Sequence, residues 1–120
     1  MGTFDVTIAV GDQAGQHLES IEVLVDTGAT YTVLPRGLLS RLGVQAHRTS
    51  TFELGDGTLV ELEMGRTWVR VAGQQEMTLV VFGSEGASPI LGAVTLEELL
   101  LGVDPVHKQL VPVNALLMGF

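Results

Sequence analysis

The 120-residue sequence contains no cysteine. That removes disulfides, thiol nucleophiles and thiolate metal sites together. Basic residues are scarce, with 6 Lys plus Arg against 14 Asp plus Glu and a formal charge of -8. The few that exist are scattered. Nucleic-acid binding needs concentrated positive charge to neutralise phosphates, so no nucleic-acid partner is expected. An anionic membrane surface is disfavoured on the same ground. No apolar run approaches the ~18 residues of a membrane span. The opening MGTFDVTIAVGDQ shows neither the basic start nor the apolar stretch of a signal peptide, and a cytoplasmic location is expected. His17, His47 and His107 lack metal-ligand spacing, so no metal or other cofactor is expected, and a solvated surface position is expected for each. A Gly-x-Ser-x-Gly elbow, a P-loop and a dinucleotide fingerprint are all absent.

What is present is apolar and glycine-rich, with 46% hydrophobic residues and 15 Gly. The length fits one domain, 1–120, with its core over about 3–113. A chain of this size has one core. A deep cleft between two lobes needs more chain or a second copy, and the high apolar content points to some apolar surface buried against a partner.

The pattern is one of short strands between Gly-rich turns. Phe4, Val6, Ile8 and Val10 alternate along a strand over 3–10, and a second strand runs over 17–25. After Thr32-Val33-Leu34, Pro35 is placed to enter the first turn of a short helix with Leu38, Leu39 and Leu42 as its apolar stripe and Gly43 as its stop. Two strands flank Gly55-Asp56-Gly57-Thr58, where Asp-Gly is a strong hairpin signal. Strands over 67–71 and 76–82 follow, with Trp68 expected in the core. Thr95-Leu96-Glu97-Glu98 reads as a capping box opening a helix through Leu101, with Gly102 at its end. A hairpin is expected within 103–113. The expected fold is all-β, a closed barrel-like domain with one or two short helices.

The sharpest local signal is the segment from Ile21 to Thr30. An apolar strand delivers Asp26 to a turn made by Gly28, through Thr27 and on to Ala29 and Thr30. A carboxylate at the end of a buried strand is costly unless hydrogen-bonded or shared. The plainer reading is an aspartate that starts a turn and caps its N–H groups. Asp-Thr/Ser-Gly arises by chance in roughly one chain in twenty of this length, so the tripeptide alone does not decide between them.

The wider context resembles the retropepsin-like aspartic proteases. In that family an apolar strand leads into Asp-Thr/Ser-Gly-Ala, a hairpin flap follows, and an apolar–apolar–Gly strand then crosses behind the loop before a helix. Here these correspond to Val25-Asp26-Thr27-Gly28-Ala29, to Gly55-Asp56-Gly57-Thr58, and to Pro89-Ile90-Leu91-Gly92. The resemblance covers most of 3–113 in the right order. Viral members usually carry an acidic residue after the Ala. Thr30 stands there in this chain, so the resemblance is to cellular and bacterial members. It implies an aspartic endopeptidase with Asp26 catalytic, Thr27 and Gly28 supporting the loop, and Ala29, Thr30, Gly55, Asp56 and Gly57 binding a peptide or protein substrate. Val33, Leu34, Ile90 and Val94 are expected to make the cleft apolar.

The chemistry is consistent with that implication. Peptide hydrolysis needs an activated water and a proton for the leaving amine, and two carboxylates sharing one proton supply both. Asp5, Asp12, Asp56 and Asp104 lack the strand–Asp–Thr–Gly setting. The second carboxylate is therefore expected from Asp26 of a second chain, in a homodimer about a two-fold axis. Two alternatives are carried beside this one. The first is a non-catalytic dimerisation or peptide-binding module of the same fold. The second is a phosphate loop of the actin-like ATPase kind, which Val25–Thr30 also resembles, although that fold needs two lobes and far more chain.

Overall fold

The computed structural model describes residues 3–119. In chain order the elements are β1 (Phe4–Gly11), β2 (Leu18–Val25), β3 (Thr32–Pro35), α1 (Arg36–Arg41), β4 (Ala46–Glu53), β5 (Leu59–Val71), β6 (Gln74–Gly83), β7 (Ile90–Leu91), α2 (Ala93–Glu98), β8 (Leu101–Asp104) and β9 (Gln109–Pro112).

Alternation decides how the strands lie. In β1, Ile8 and Val10 are buried while Asp5 and Thr7 face water. β1 pairs antiparallel with β2, Phe4 opposite Val25 and Gly11 opposite Leu18. The sheet then runs β1-β2-β7-β3-β6-β5-β4. A further pairing of β1 with β5, Ala9 with Arg70 and Val10 with Val69, joins the first strand of that order to the sixth. Six strands thereby close a ring, and β4 branches from it. The expected barrel-like, mainly β fold is what forms. The ring encloses side chains such as Ile8, Val10, Val25, Leu34, Val69 and Leu91, all 3% exposed or less. Each buried aliphatic side chain contributes about 1.5–3 kcal/mol relative to exposure, so this interior carries most of the stability.

Several elements differ from expectation for physical reasons. The strand after the Gly55–Thr58 turn and the strand over 67–71 are one element, β5. It pairs with β4 up to Gly65 and with β6 from Met64 onward, so Gly65 does not end it. A Cβ there would lie 2.4 Å from the Gln45 carbonyl oxygen, which makes close approach, not turning, the reason for the glycine. The β5–β6 link is only Ala72-Gly73, at φ 49° and 84°, as a tight hairpin whose twist matches its strands requires. Trp68 is half-buried rather than in the core. Its indole covers the β1–β2 turn, where a Cβ on Gly15 would come within 3.1 Å of Nε1.

Pro35 is the residue before α1, at φ -59° and ψ 135°, not part of its first turn. Leu38, Leu39 and Leu42 are buried as expected. Gly43 ends the helix at φ 73°, its N–H donating to the Ser40 carbonyl. The capping box is not used. α2 starts at Ala93 after Gly92 and has no side-chain cap, and Thr95 is fully buried within it. The chain reverses at Leu100, φ 56°, and Gly102 lies in β8 opposite Val111. β8 and β9 form the expected hairpin, whose turn is tied by Asp104. Beyond it residues 113–119 are exposed, with Leu116 and Met118 each 83% accessible.

Candidate functional site

Asp26 stands at the end of β2, where that strand pairs in parallel with β7, Leu24 beside Ile90 and Val25 beside Leu91. The pairing continues into the loop, since the Asp26 N–H donates to the Leu91 carbonyl at 3.1 Å. The loop closes on itself by Ala29 N–H donating to the Asp26 carbonyl, 3.1 Å, and Gly28 N–H donating to Asp26 Oδ1, 2.9 Å. The side chain is half-buried. Thr27 and Gly28 are exposed, and the loop presents them outward.

From behind, the start of α2 holds the same loop. Ala93 N–H donates to the Ala29 carbonyl at 2.8 Å and Val94 N–H to the Thr30 carbonyl at 2.9 Å. The first N–H groups of a helix have no partner inside it. Here loop carbonyls supply that need, which explains why α2 begins two residues before the expected cap. Gly92 makes the approach possible. A Cβ there would lie 2.5 Å from both the carbonyl carbon and oxygen of Tyr31.

Beneath the loop lies a cluster of fully buried hydroxyls on Thr32, Thr78 and Thr95. Gly92 N–H donates to Thr32 Oγ1 at 3.1 Å, and Thr32 donates to Thr95 Oγ1 at 2.6 Å. Thr95 and Thr78 are 3.1 Å apart, and Thr78 donates to Glu98 Oε1 at 2.7 Å. Every hydroxyl in the cluster is satisfied, as burial demands. These residues were not singled out by sequence reasoning as part of a site. Their partners lie 17 to 63 positions away, so no local pattern marks them.

The β4–β5 hairpin reaches past the ring on the same side. Its tip is closed by Leu54 N–H donating to the Thr58 carbonyl, 2.8 Å, and Gly57 N–H to the Leu54 carbonyl, 2.9 Å, with Gly57 at φ 86°. Thr58 N–H donates to Asp56 Oδ1 at 2.9 Å. The Thr58 hydroxyl and then its N–H hold the Asp56 carboxyl below its ordinary 3.8.

Between loop and hairpin is a cavity of about 420 Å³. The loop lines it through Gly28, Ala29 and Thr30, and the hairpin through Gly55. Its apolar walls include Tyr31, Val33, Phe52, Leu62, Val81 and Ile90. Tyr31 and Phe52 meet edge to face, with centroids 6.2 Å apart, so the loop and the hairpin touch across the cavity. Val33 and Ile90 thus stand where expected. Leu34 does not, because it is fully buried in the ring interior, and Val94 is not in the lining. Tyr31, Phe52, Leu62 and Val81 were missed. Phe52 in β4 and Leu62 in β5 are half-buried between exposed neighbours on at least one side, and such a pattern marks an inward position without saying what it faces. Asp56 and Gly57 sit at the tip outside the cavity. On the other side of the loop, Thr27 borders a second hollow of about 290 Å³ with Leu96, Leu101 and Val103.

His17, His47 and His107 are exposed, as expected. His107 Nδ1 lies 2.7 Å from Asp104 Oδ2 in the β8–β9 turn, which, with the His107 N–H, lowers the Asp104 pKa from its ordinary 3.8. Among the described residues no three His, Asp or Glu side chains are grouped to hold a metal ion. No described helix is long and apolar enough to cross a membrane.

A protein-family model described as aspartyl protease matches residues 6–104. The matched stretch runs from β1 to β8 and contains the Asp26 loop, the hairpin and Gly92. No curated protein matches the sequence.

Proposed function

The chain belongs to the retropepsin-like aspartyl protease family, and from that premise we propose that it is an endopeptidase whose water is activated between the Asp26 carboxylates of two copies. The observation that supports Asp26 most directly is its setting. It is the aspartate that follows a barrel strand in a loop tied to α2 and Gly92, beside a cavity shared with the β4–β5 hairpin. One Oδ1 is oriented by the Gly28 N–H at 2.9 Å.

Two such carboxylates a few Å apart share a proton, since like charges that close do not both ionise. The ionised one takes a proton from water as its oxygen attacks the peptide carbonyl carbon. The protonated one gives its proton to the carbonyl oxygen. Collapse of the tetrahedral diol then breaks the C–N bond, and a proton passes to the departing amine. Thr27 and Gly28 support the loop, while Ala29, Thr30 and the Gly55-Asp56-Gly57 tip hold the substrate backbone, the tip through its own main chain, since the Asp56 carboxylate is taken up by Thr58. The apolar walls fit an extended peptide with apolar side chains, and the hairpin serves as a flap.

The dimer is supported by the chemistry, which requires two carboxylates, and by apolar surface left open near the chain end. Leu116, Leu117 and Met118 are 68–83% exposed. A standard interface buries roughly 1,600 Å², and association costs offset much of the gain. Dilution therefore tests the model. Specific activity on a peptide library is expected to fall as the enzyme is diluted through its dimer dissociation constant, and added Asp26→Asn chains are expected to poison wild-type subunits. Constant specific activity where sedimentation shows only monomer overturns the shared site. Thr30, in place of the acidic residue of viral members, favours one second reading, a peptide-binding module. Peptide binding without cleavage at any pH supports that reading.

A further inference from the structure

The buried threonines form a chain with a direction. Glu98 is a carboxylate and only accepts, so Thr78 spends its one hydroxyl hydrogen on Glu98 Oε1. Thr95, 3.1 Å from Thr78, must then donate to it. Thr32 in turn donates to Thr95, and Thr32 Oγ1 accepts from the Gly92 N–H. That N–H belongs to the peptide unit joining Leu91 to Gly92. The carbonyl of the same unit accepts the Asp26 N–H at 3.1 Å. One uninterrupted line thus runs from the backbone of Asp26, through a single amide and three hydroxyls, to a carboxylate at the surface. Every donor points the same way. Such chains polarise each member in turn, and in a buried setting a missing member leaves a donor unsatisfied.

We propose that Thr32, Thr95, Thr78 and Glu98 are positioning residues, a relay that fixes the Asp26 backbone, and hence its carboxylate, for the reaction. The line begins at the loop and ends on an exposed glutamate that touches neither the cavity nor the loop. It lies behind the loop, away from the substrate cavity. Breaking it therefore moves the reacting group without altering the apolar walls. The signature is a fall in kcat with KM held, which loss of side-chain packing at the cavity does not give.

The test compares Thr95→Val, which keeps the shape and removes the hydroxyl, with Thr95→Ser, which restores it, and with Glu98→Gln at the exposed end. Peptide kinetics are read beside hydrogen exchange at the Asp26 and Gly92 amides in the intact protein. Thr95→Val is expected to lose about tenfold in kcat at nearly constant KM, a fraction of the ~100-fold that a 1 Å misplacement costs. Its Asp26 and Gly92 amides are expected to exchange faster. Thr95→Ser is expected to recover most of both, and Glu98→Gln to lose about threefold in kcat, since an amide oxygen still accepts but carries no charge. Equal losses in Thr95→Val and Thr95→Ser, or wild-type kcat and exchange in Thr95→Val, overturn the relay. If Thr95→Val does not fold, Glu98→Gln decides by the same two readouts, because its side chain is exposed. The kinetic arm rests on the protease reading, but the exchange arm does not. A wild-type protein that cleaves nothing, yet loses Asp26 protection in Thr95→Val alone, retains the relay and removes only the proposed activity.

Discussion

Two turns in this chain are built from the same local parts. In each, an aspartate Oδ1 accepts the N–H of the residue two positions on at 2.9 Å, from Gly28 at Asp26 and from Thr58 at Asp56. In each, a glycine adjoins or follows the aspartate closely. Their surroundings differ completely. The Asp26 loop receives hydrogen bonds from Ala93 and Val94, gives one to Leu91, and rests on Gly92. At the hairpin tip, nothing lies within 4 Å of a Cβ built on Gly55 or Gly57. An Asx turn is thus a fixed platform in one place and a solvated arm in the other. Turn type is a local property, whereas rigidity comes from what packs behind the turn.

The contrast is broken most severely at the two carboxylates. Asp26→Asn is expected to lower peptide cleavage by about 10²–10⁴-fold or more, the scale of a lost general base. Asp56→Asn is expected to leave cleavage near the wild-type value. Comparable losses in the two variants, measured as kcat/KM with the fold checked by circular dichroism, erase the distinction.

The next effect is on stability. Gly92→Ala forces a methyl against the Tyr31 backbone at 2.5 Å, and backbone cannot swing away as a side chain can. A loss of about 1–3 kcal/mol is expected from such overpacking. Gly55→Ala adds a methyl to open space and is expected to change stability by less than about 0.5 kcal/mol. Denaturant midpoints check both, and an undisturbed Gly92→Ala shows that the loop is not held as described.

Mobility sharpens the comparison further. In the free protein the amides of Gly57 and Thr58 are expected to exchange quickly and those of Asp26 and Ala29 slowly, and a bound peptide inhibitor is expected to slow the tip. Gly57→Pro is incompatible with φ 86° and deletes the N–H given to Leu54, so turnover is expected to fall more than stability does. Tip amides that are already protected without ligand count against a flap.

The smallest effect concerns pH. The folded pKa of Asp56 is lowered, so its contribution to stability is present above the ordinary 3.8 and is lost only as pH falls through the lower folded value. The tip is therefore expected to stay closed by its carboxylate across mildly acidic and neutral pH. Asp56→Asn should leave the pH–rate profile in that range unchanged. A shift of either limb in that variant, measured on kcat/KM, places Asp56 in the chemistry after all.

The strands, the hairpin turn and the Asp26 loop were legible because each depends on residues close in sequence. Alternation marks a strand face, Asp-Gly marks a reversal, and an apolar run ending in Asp-Thr-Gly marks a buried strand that stops at a polar turn. The helix carrying Thr95 was misplaced for the opposite reason. Thr95 and Glu98 have the spacing of a capping box, yet their oxygens serve Thr32 and Thr78 from other strands. A local rule was outbid by tertiary partners, and α2 started earlier because loop carbonyls met its first N–H groups.

By itself the sequence determined the local chemistry, namely an aspartate set in a glycine turn at a strand end, a glycine-bent hairpin between polar strands, and a mostly β chain with no thiol and little positive charge. Only the tertiary structure decided that β1 meets β5 to close the ring, that Gly92 lies against Tyr31, and that three distant threonines line up between Asp26 and Glu98. Hydrogen bonds between neighbours leave a period or a motif in the sequence. Contacts across 60 positions are chosen by the packing of the whole ring, and a buried hydroxyl looks the same in sequence as an exposed one until its partner arrives.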